Sequence, residues 1–154
     1  MLGILVALFG LSVHASSALI SFVAHTNVPG VSVEGHVEEI KTSAGPVIEF
    51  DAFNLKTGMD KRDEHLREKV FAAKKPGEAV IRFEATSVPE GDGVAEGKLT
   101  IKGVEKTNSF PVKRSGRGVS GKAQIELAVF SLPRPSFMGV QVSEKVDVTF
   151  SFSE

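Results

Sequence analysis

Apolar residues recur at every second position through most of this chain, a period that fits half-buried β-strands and not an amphipathic helix. Ile20, Phe22 and Ala24 alternate with Ser21, Val23 and His25, and Val31, Val33, Gly35 and Val37 alternate with Ser32, Glu34, His36 and Glu38. A third run, Val47 to Leu55, carries Ile48, Phe50 and Phe53 and slips phase near Ala52, which predicts a bulge or a strand end there. Ala79, Ile81, Phe83 and Ala85 form a fourth apolar row, and Gly97, Leu99, Ile101 and Gly103 a fifth. Phe110 and Val112 mark a sixth run within Lys106–Arg114. Ala123, Ile125, Leu127 and Val129 make the seventh, and Val146, Val148, Phe150 and Phe152 the eighth.

Turn-forming clusters separate these runs at Val28-Pro29-Gly30, Ala44-Gly45-Pro46, Pro89 to Gly93 and Ser115 to Gly118. Short amphipathic strands with hairpin-length links favour a meander, and eight of them can close into a barrel that removes exposed edges. The expected fold is therefore all-β: an eight-stranded antiparallel up-and-down barrel. Such a barrel can hold one small ligand. Several inward positions are small (Gly35, Ala79, Ala85, Gly97, Gly103, Gly121, Ala123), which leaves room or lets strands coil sharply. A solid core of Phe, Ile, Val and Leu is the alternative that the pattern leaves open.

One short helix is expected between strands 3 and 4, where Thr57-Gly58-Met59-Asp60 leads into KRDEHLREKVF. Asp60 is placed to cap it, with Asp63 as a weak capping-box partner, and Asp63 and Arg67 are spaced for a surface ion pair. Leu66 and Val70 share the face that would pack on the barrel, and Pro76-Gly77 prevents continuation.

The N-terminus follows a different rule. Leu2 to Val13 is almost uninterrupted apolar, and no Lys, Arg, Asp or Glu precedes Glu34. Twelve helical residues reach about 18 Å, short of the roughly 30 Å of a bilayer core. The segment fits the apolar stretch of a secretory signal, and Val13-His14-Ala15 supplies small residues at the two positions a signal peptidase reads. Residues 1–15 are thus expected to be a signal peptide, and 16–154 a single mature domain that is exported or secreted. A first strand or a misplaced start codon is the plainer reading.

Charge and composition exclude several functions. With 18 basic and 19 acidic residues the net charge is −1, so nucleic acid, which needs a basic excess, is not an expected partner. Cysteine is absent, which removes disulfides, thiol catalysis and Cys–zinc sites. His25, His36 and His65 fall on separate elements with no metal-binding spacing, so neither a metal nor any other cofactor is expected. Asp60, Asp63 and Glu64 lie beside Lys61, Arg62 and Arg67, a pattern of helix capping and ion pairing more than of paired-carboxylate catalysis. There is no G-x-S-x-G, and the Gly-rich turns join strand to strand, so no phosphate cradle forms. Leu132 to Pro135 reads as a loop. No catalytic residue is expected.

Three segments taken together are more specific. Leu55-Lys56-Thr57-Gly58-Met59 is followed by Arg62-Asp63-Glu64-His65-Leu66; Gly97 to Val104 reads GKLTIKGV with Lys106 after it; and Pro135 to Val142 reads PSFMGVQV. In this order and spacing the chain resembles the YceI-like family of polyisoprenoid-binding proteins, over roughly residues 18 to 152. The resemblance implies a lipocalin-like antiparallel barrel, an apolar cavity holding a long isoprenoid or similar lipid, a periplasmic location and no catalytic residues. Many members carry an aromatic residue and a His-Ser pair shortly before the first-strand Phe; here Ser17 and Ala18 precede Phe22, and the chain has no Tyr or Trp.

Strand parity, independently of the resemblance, nominates Phe22, Phe50, Phe83, Leu99, Ile101, Ile125, Leu127, Val148 and Phe150 as cavity lining. Arg62, Asp63 and His65 are the candidates for head-group contact or, preferably, for tying the helix to the barrel by charge-assisted hydrogen bonds. The expected function is binding and carriage or storage of a long apolar lipid without chemistry. A solid-core structural or protein-interaction barrel and a lipid-acting enzyme are the other classes; the enzyme would need polar side chains converging inside the barrel.

Overall fold

A computed structural model of the chain describes residues 17–43 and 45–153. The expected signal segment, with its cleavage after Ala15, lies outside the described residues. Among the described residues there are twelve strands: β1 (Ser17–His25), β2 (Ser32–Val37), β3 (Lys41–Ser43), β4 (Val47–Asp51), β5 (Leu55–Lys56), β6 (Val80–Ser87), β7 (Gly93–Ile101), β8 (Val104–Ser115), β9 (Gly118–Glu126), β10 (Ser136–Phe137), β11 (Val140–Gln141) and β12 (Lys145–Ser153). Ten form one curled antiparallel sheet in the order β3-β4-β6-β7-β8-β9-β12-β1-β2-β5, and β10 and β11 make a separate hairpin.

The all-β, barrel-like class is as expected, but the sheet has ten strands instead of eight. Each of the eight alternating runs yields one long strand. The additional members, β3 and β5, have three and two residues, too few to display an alternation. β5 arises because the third run breaks where its phase slips. Asp51 accepts a hydrogen bond from Phe53 N at 2.9 Å while Asn54 Oδ1 accepts from Asp51 N at 2.9 Å, capping a 3-10 turn over Ala52–Asn54. Before the turn the chain pairs with β6 and after it with β2 (His36↔Lys56, Val37↔Leu55), so one bent segment joins the two ends of the sheet. The other junction is the pairing of β1 with β12, the first and last described strands, from Ser17↔Ser153 to Val23↔Asp147.

The helix lies at the expected place in the chain, now between β5 and β6. Helix α1 (Asp60–His65) runs on into a π-helical turn, Leu66–Val70. Its predicted caps are not used. Asp60 is the first helical residue, Met59 holds the cap position without a side-chain bond, and Asp63 turns away from the capping box. Nor do Asp63 and Arg67 pair: the Arg67 guanidinium lies 4.7 Å from the centre of the Phe53 ring. Val129 and Gly103 are also displaced from the inward rows. The chain leaves β9 for a 3-10 turn at Leu127–Phe130, which exposes Val129, and Gly103 sits in the β7–β8 turn with φ 78°.

Two packed regions bracket the interior. One gathers Val37, Ala52, Leu55, Val70, Phe71, Leu127, Phe130 and Leu132 around the helix; the other gathers Ile48, Ala95, Phe110, Val112, Val119 and Phe152. Ile20, Phe50 and Phe83 border both and are only partly buried. Ion pairs such as Arg82–Glu84 at 3.2 Å within β6 and Arg82–Glu49 at 3.8 Å across to β4 lie on the solvated face, where such pairs add little stability.

Candidate functional site

The inward apolar side chains do not fill the barrel. Among the described residues Val119 is the one large side chain less than 2% exposed, whereas Phe22, Phe50, Phe83 and Phe150 remain half-buried although they point inward. A close-packed core would have enclosed those rings. The accessible surface they retain faces an internal cavity of about 560 Å³, within the roughly 300–1,000 Å³ usual for small-molecule sites.

All nine residues nominated from strand parity stand on its wall: Phe22, Phe50, Phe83, Leu99, Ile101, Ile125, Leu127, Val148 and Phe150. Leu127 reaches it from the 3-10 turn, where a strand was expected. Rings in contact build part of the wall. Phe83 and Phe110 have centroids 5.4 Å apart, and Phe110 meets Phe150 edge-on at 5.0 Å. The wall is almost wholly apolar. Its polar side chains are Ser32, Thr57, Arg62, His65, Asn108 and Ser136. Strand parity alone could have found Asn108, which shares the inward face of Phe110 and Val112; its polar side chain masked it.

Thr57, Arg62 and Asp63 form a single knot. The Asp63 carboxylate, 4% exposed, accepts from Thr57 N at 2.9 Å and from Thr57 Oγ1 at 2.5 Å. Arg62 donates from Nε to Thr57 Oγ1 at 2.9 Å and from Nη2 to Thr57 O at 2.6 Å. The helix is thereby fastened to the chain leaving β5 by bonds that each involve an ionised group. Asp63 lies behind the cavity wall; Arg62 and His65 stand on it. The sequence places Thr57 in a family segment but gives it no role, because that role depends on a contact made only once the helix folds back.

The other histidines are elsewhere. His25 Nε2 lies 3.1 Å from Asp147 Oδ2, and His36 Nε2 3.2 Å from Glu38 Oε1, both on the outer face. Among the described residues no group of three or more His, Asp or Glu could hold a metal ion, and no helix is long and apolar enough to cross a membrane.

The rim of the cavity is set by the β1–β2 turn, α1 and the β10–β11 hairpin. Val31 is 44% and Met138 87% exposed, and both line the cavity. The turn and the hairpin are bound together: Asn27 N donates to Gln141 O at 3.0 Å and Gln141 N donates to Asn27 Oδ1 at 2.8 Å. Met138 and Gly139 take positive φ, 51° and 80°, at the hairpin tip.

The YceI-like domain signature matches residues 12–153. This chain belongs to the YceI-like family. Solved structures of the same fold agree with it. Burkholderia cenocepacia BcnA aligns over 89% of this chain and 96% of its own, with 19% identity and a TM-score of 0.64. A polyisoprenoid binding domain from Saccharophagus degradans, described as implicated in plant cell wall breakdown, aligns over 90% and 95%, with 17% identity and a TM-score of 0.61. The Campylobacter jejuni YCEI protein aligns over 80% and 86%, with 18% identity and a TM-score of 0.58. A search of curated protein sequences finds no significant match.

Proposed function

We propose that this YceI-like protein binds a long apolar lipid, a polyisoprenoid or a chain of similar character, and carries or stores it without chemical change. The observation that carries this reading is the unfilled cavity of about 560 Å³ walled by Phe, Ile, Val and Leu. Each methylene moved from water to such a wall contributes about 0.8 kcal/mol, so ten give about 8 kcal/mol before ordering costs, enough for roughly micromolar binding. The polyisoprenoid-binding description of the Saccharophagus domain, which shares this fold, supports the same class of guest.

The few polar groups on the wall argue for binding over catalysis. Arg62 is engaged with Thr57, and Asp63 is sealed behind the wall; in this reading both are anchors of the helix and not ligands of a head group. The apolar segment Leu2–Val13 and the small residues Val13 and Ala15 support export to the periplasm or beyond.

Mass spectrometry of the mature protein purified from a bacterial periplasm, native and again after organic extraction, tests the reading. A stoichiometric lipid released by solvent is the expected result. An apo mass that stays unchanged after incubation with polyprenyl and fatty lipids would overturn it and put a structural or protein-interaction barrel in its place.

A further inference from the structure

The barrel wall has a split along one side. β8 pairs with β7 over its inner length, from Gly93↔Val112 to Ile101↔Val104, and β9 pairs with β12 throughout, from Lys145↔Glu126 to Ser153↔Gly118. Toward each other, β8 and β9 share only four pairs, from Val112↔Gly121 to Ser115↔Gly118. Past that point no ladder joins Glu105–Pro111 to Lys122–Glu126 among the described residues. The first residue of β8 without a partner in β9 is Pro111, which has no N–H to offer a neighbour and so suits an edge on that side.

The split lies against the cavity wall, with the buried Phe110 ring between the two. Asn108, Phe110, Ala123 and Val148 line the cavity and also line a depression on the outer surface between β8 and β9. The outer lip of that depression is polar. It carries Lys122, Gln124, His25 and Asp147, with Gln124 Nε2 donating to Asp147 Oδ1 at 3.0 Å.

We propose that this seam is a lateral portal through which the lipid chain enters and leaves the cavity. The proposal rests on the carrier reading above. Passage between strands laddered along their length, such as β7 and β8 or β9 and β12, would break a ladder of backbone hydrogen bonds, and each buried group left unpaired costs about 1–3 kcal/mol. At the seam no such ladder exists. The rim beside the helix is less free, since the β1–β2 turn and the β10–β11 hairpin are bound to each other through Asn27. A slit along the wall also lets a chain slide in sideways. Its polar end stays with water and the polar lip and is not drawn through an apolar interior, where an unbonded polar group is strongly disfavoured.

The absence of native cysteine allows a clean test. Ser109→Cys with Lys122→Cys places thiols on the two sides of the seam, both exposed and both bordering the outer depression. Glu96→Cys with Ser109→Cys places them on ladder partners of β7 and β8, as a control. Each pair is joined with a reducible bis-maleimide, and entry of dansyl-labelled undecanoic acid is followed by stopped-flow fluorescence. Closing the seam should slow association by about tenfold or more with little change in Kd, because a blocked path acts on entry and exit alike. Reduction should restore the rate, and the ladder pair should show no slowing. Pro111→Cys with Lys122→Cys spans the same gap and serves if the first pair folds poorly. Equal rates in the seam and ladder variants would overturn the portal and leave the carrier reading standing. Failure of the uncross-linked protein to bind the probe or farnesol would overturn the carrier reading and the portal with it.

Discussion

The ring of Phe22 occupies the space that a side chain at Gly35 would need, across the β1–β2 ladder in which the two residues are partners. Phe150 does the same at its ladder partner Gly121, and Phe83 covers Gly97 diagonally, two residues along from Gly97's partner Ala85. Small inward residues were expected to leave room or to let the strands coil. Three of them instead seat aromatic rings. A ring laid along the wall keeps its area apolar and inward-facing without projecting to the middle of the barrel, and this helps to keep the cavity open.

Gly35→Ala should therefore destabilise the fold. The added methyl would lie 2.6 Å from Lys56 O as well as against the Phe22 ring, so both strand and ring must shift. Overpacking of this kind costs about 1–3 kcal/mol. Urea denaturation followed by circular dichroism measures it. Adding Phe22→Leu to Gly35→Ala should recover part of the loss, since the two residues share one space. Additive losses would show that the ring is not the obstacle.

The knot at Thr57 gives a second expectation. Arg62→Ala removes two hydrogen bonds from a charged donor, whose contribution is about 1.5–3 kcal/mol each at most and less where water reaches the group. Thermal stability should fall while affinity for a lipid probe stays unchanged. Reduced affinity at full stability would instead assign Arg62 to the ligand's head group.

Asp147 predicts a pH dependence. The hydrogen bond from Gln124, then that from His25, and the charges of His25 and Lys122 hold its carboxyl below the usual 3.8. A lowered folded-state value favours the ionised native form, so its stabilisation is present above the unfolded value and is lost as pH falls through the folded one. Asp147→Asn should be less stable than the parent at neutral pH, and the two denaturation midpoints should converge in acid below pH 3.8. Because the carboxylate is exposed, the difference should also shrink in high salt. A gap that persists in acid would remove the electrostatic account.

Much of this architecture is legible in the alternation of residues, and the exceptions have physical reasons. Period-two rows locate the eight long strands, and their parity puts Phe22, Phe50, Phe83 and Phe150 on one surface because successive side chains must point to opposite faces. The row through Leu127 and Val129 misleads at its end. Alternation cannot register that Leu127 N bonds to Glu144 O, that Ala128 N bonds to Glu144 Oε1 or that the chain turns there. The bond from Thr57 to Asp63 is equally invisible, because the acidic residues of a first helical turn read as caps until the preceding strand fixes where Thr57 lies. The parting of β8 from β9 left one trace in the sequence, Pro111 inside the run Lys106–Arg114, which is an edge signal in a strand otherwise read as paired on both sides.

The cavity itself makes the last expectation the most discriminating. Ile125 stands on its wall and is only partly buried, so a larger side chain there can grow into open volume. In a filled core, Ile125→Trp would cost about 1–3 kcal/mol or more by overpacking. Here the introduced indole should enter the cavity at little cost in stability and displace the guest, lowering affinity for a lipid probe by about tenfold or more, as loss of roughly two buried methylenes would. Because the parent chain has no tryptophan, fluorescence of the variant reports directly on the polarity of the interior and on its quenching by any ligand that still enters. Strong destabilisation of this variant would mean that the interior is packed in solution, and the carrier reading would lose the observation on which it stands.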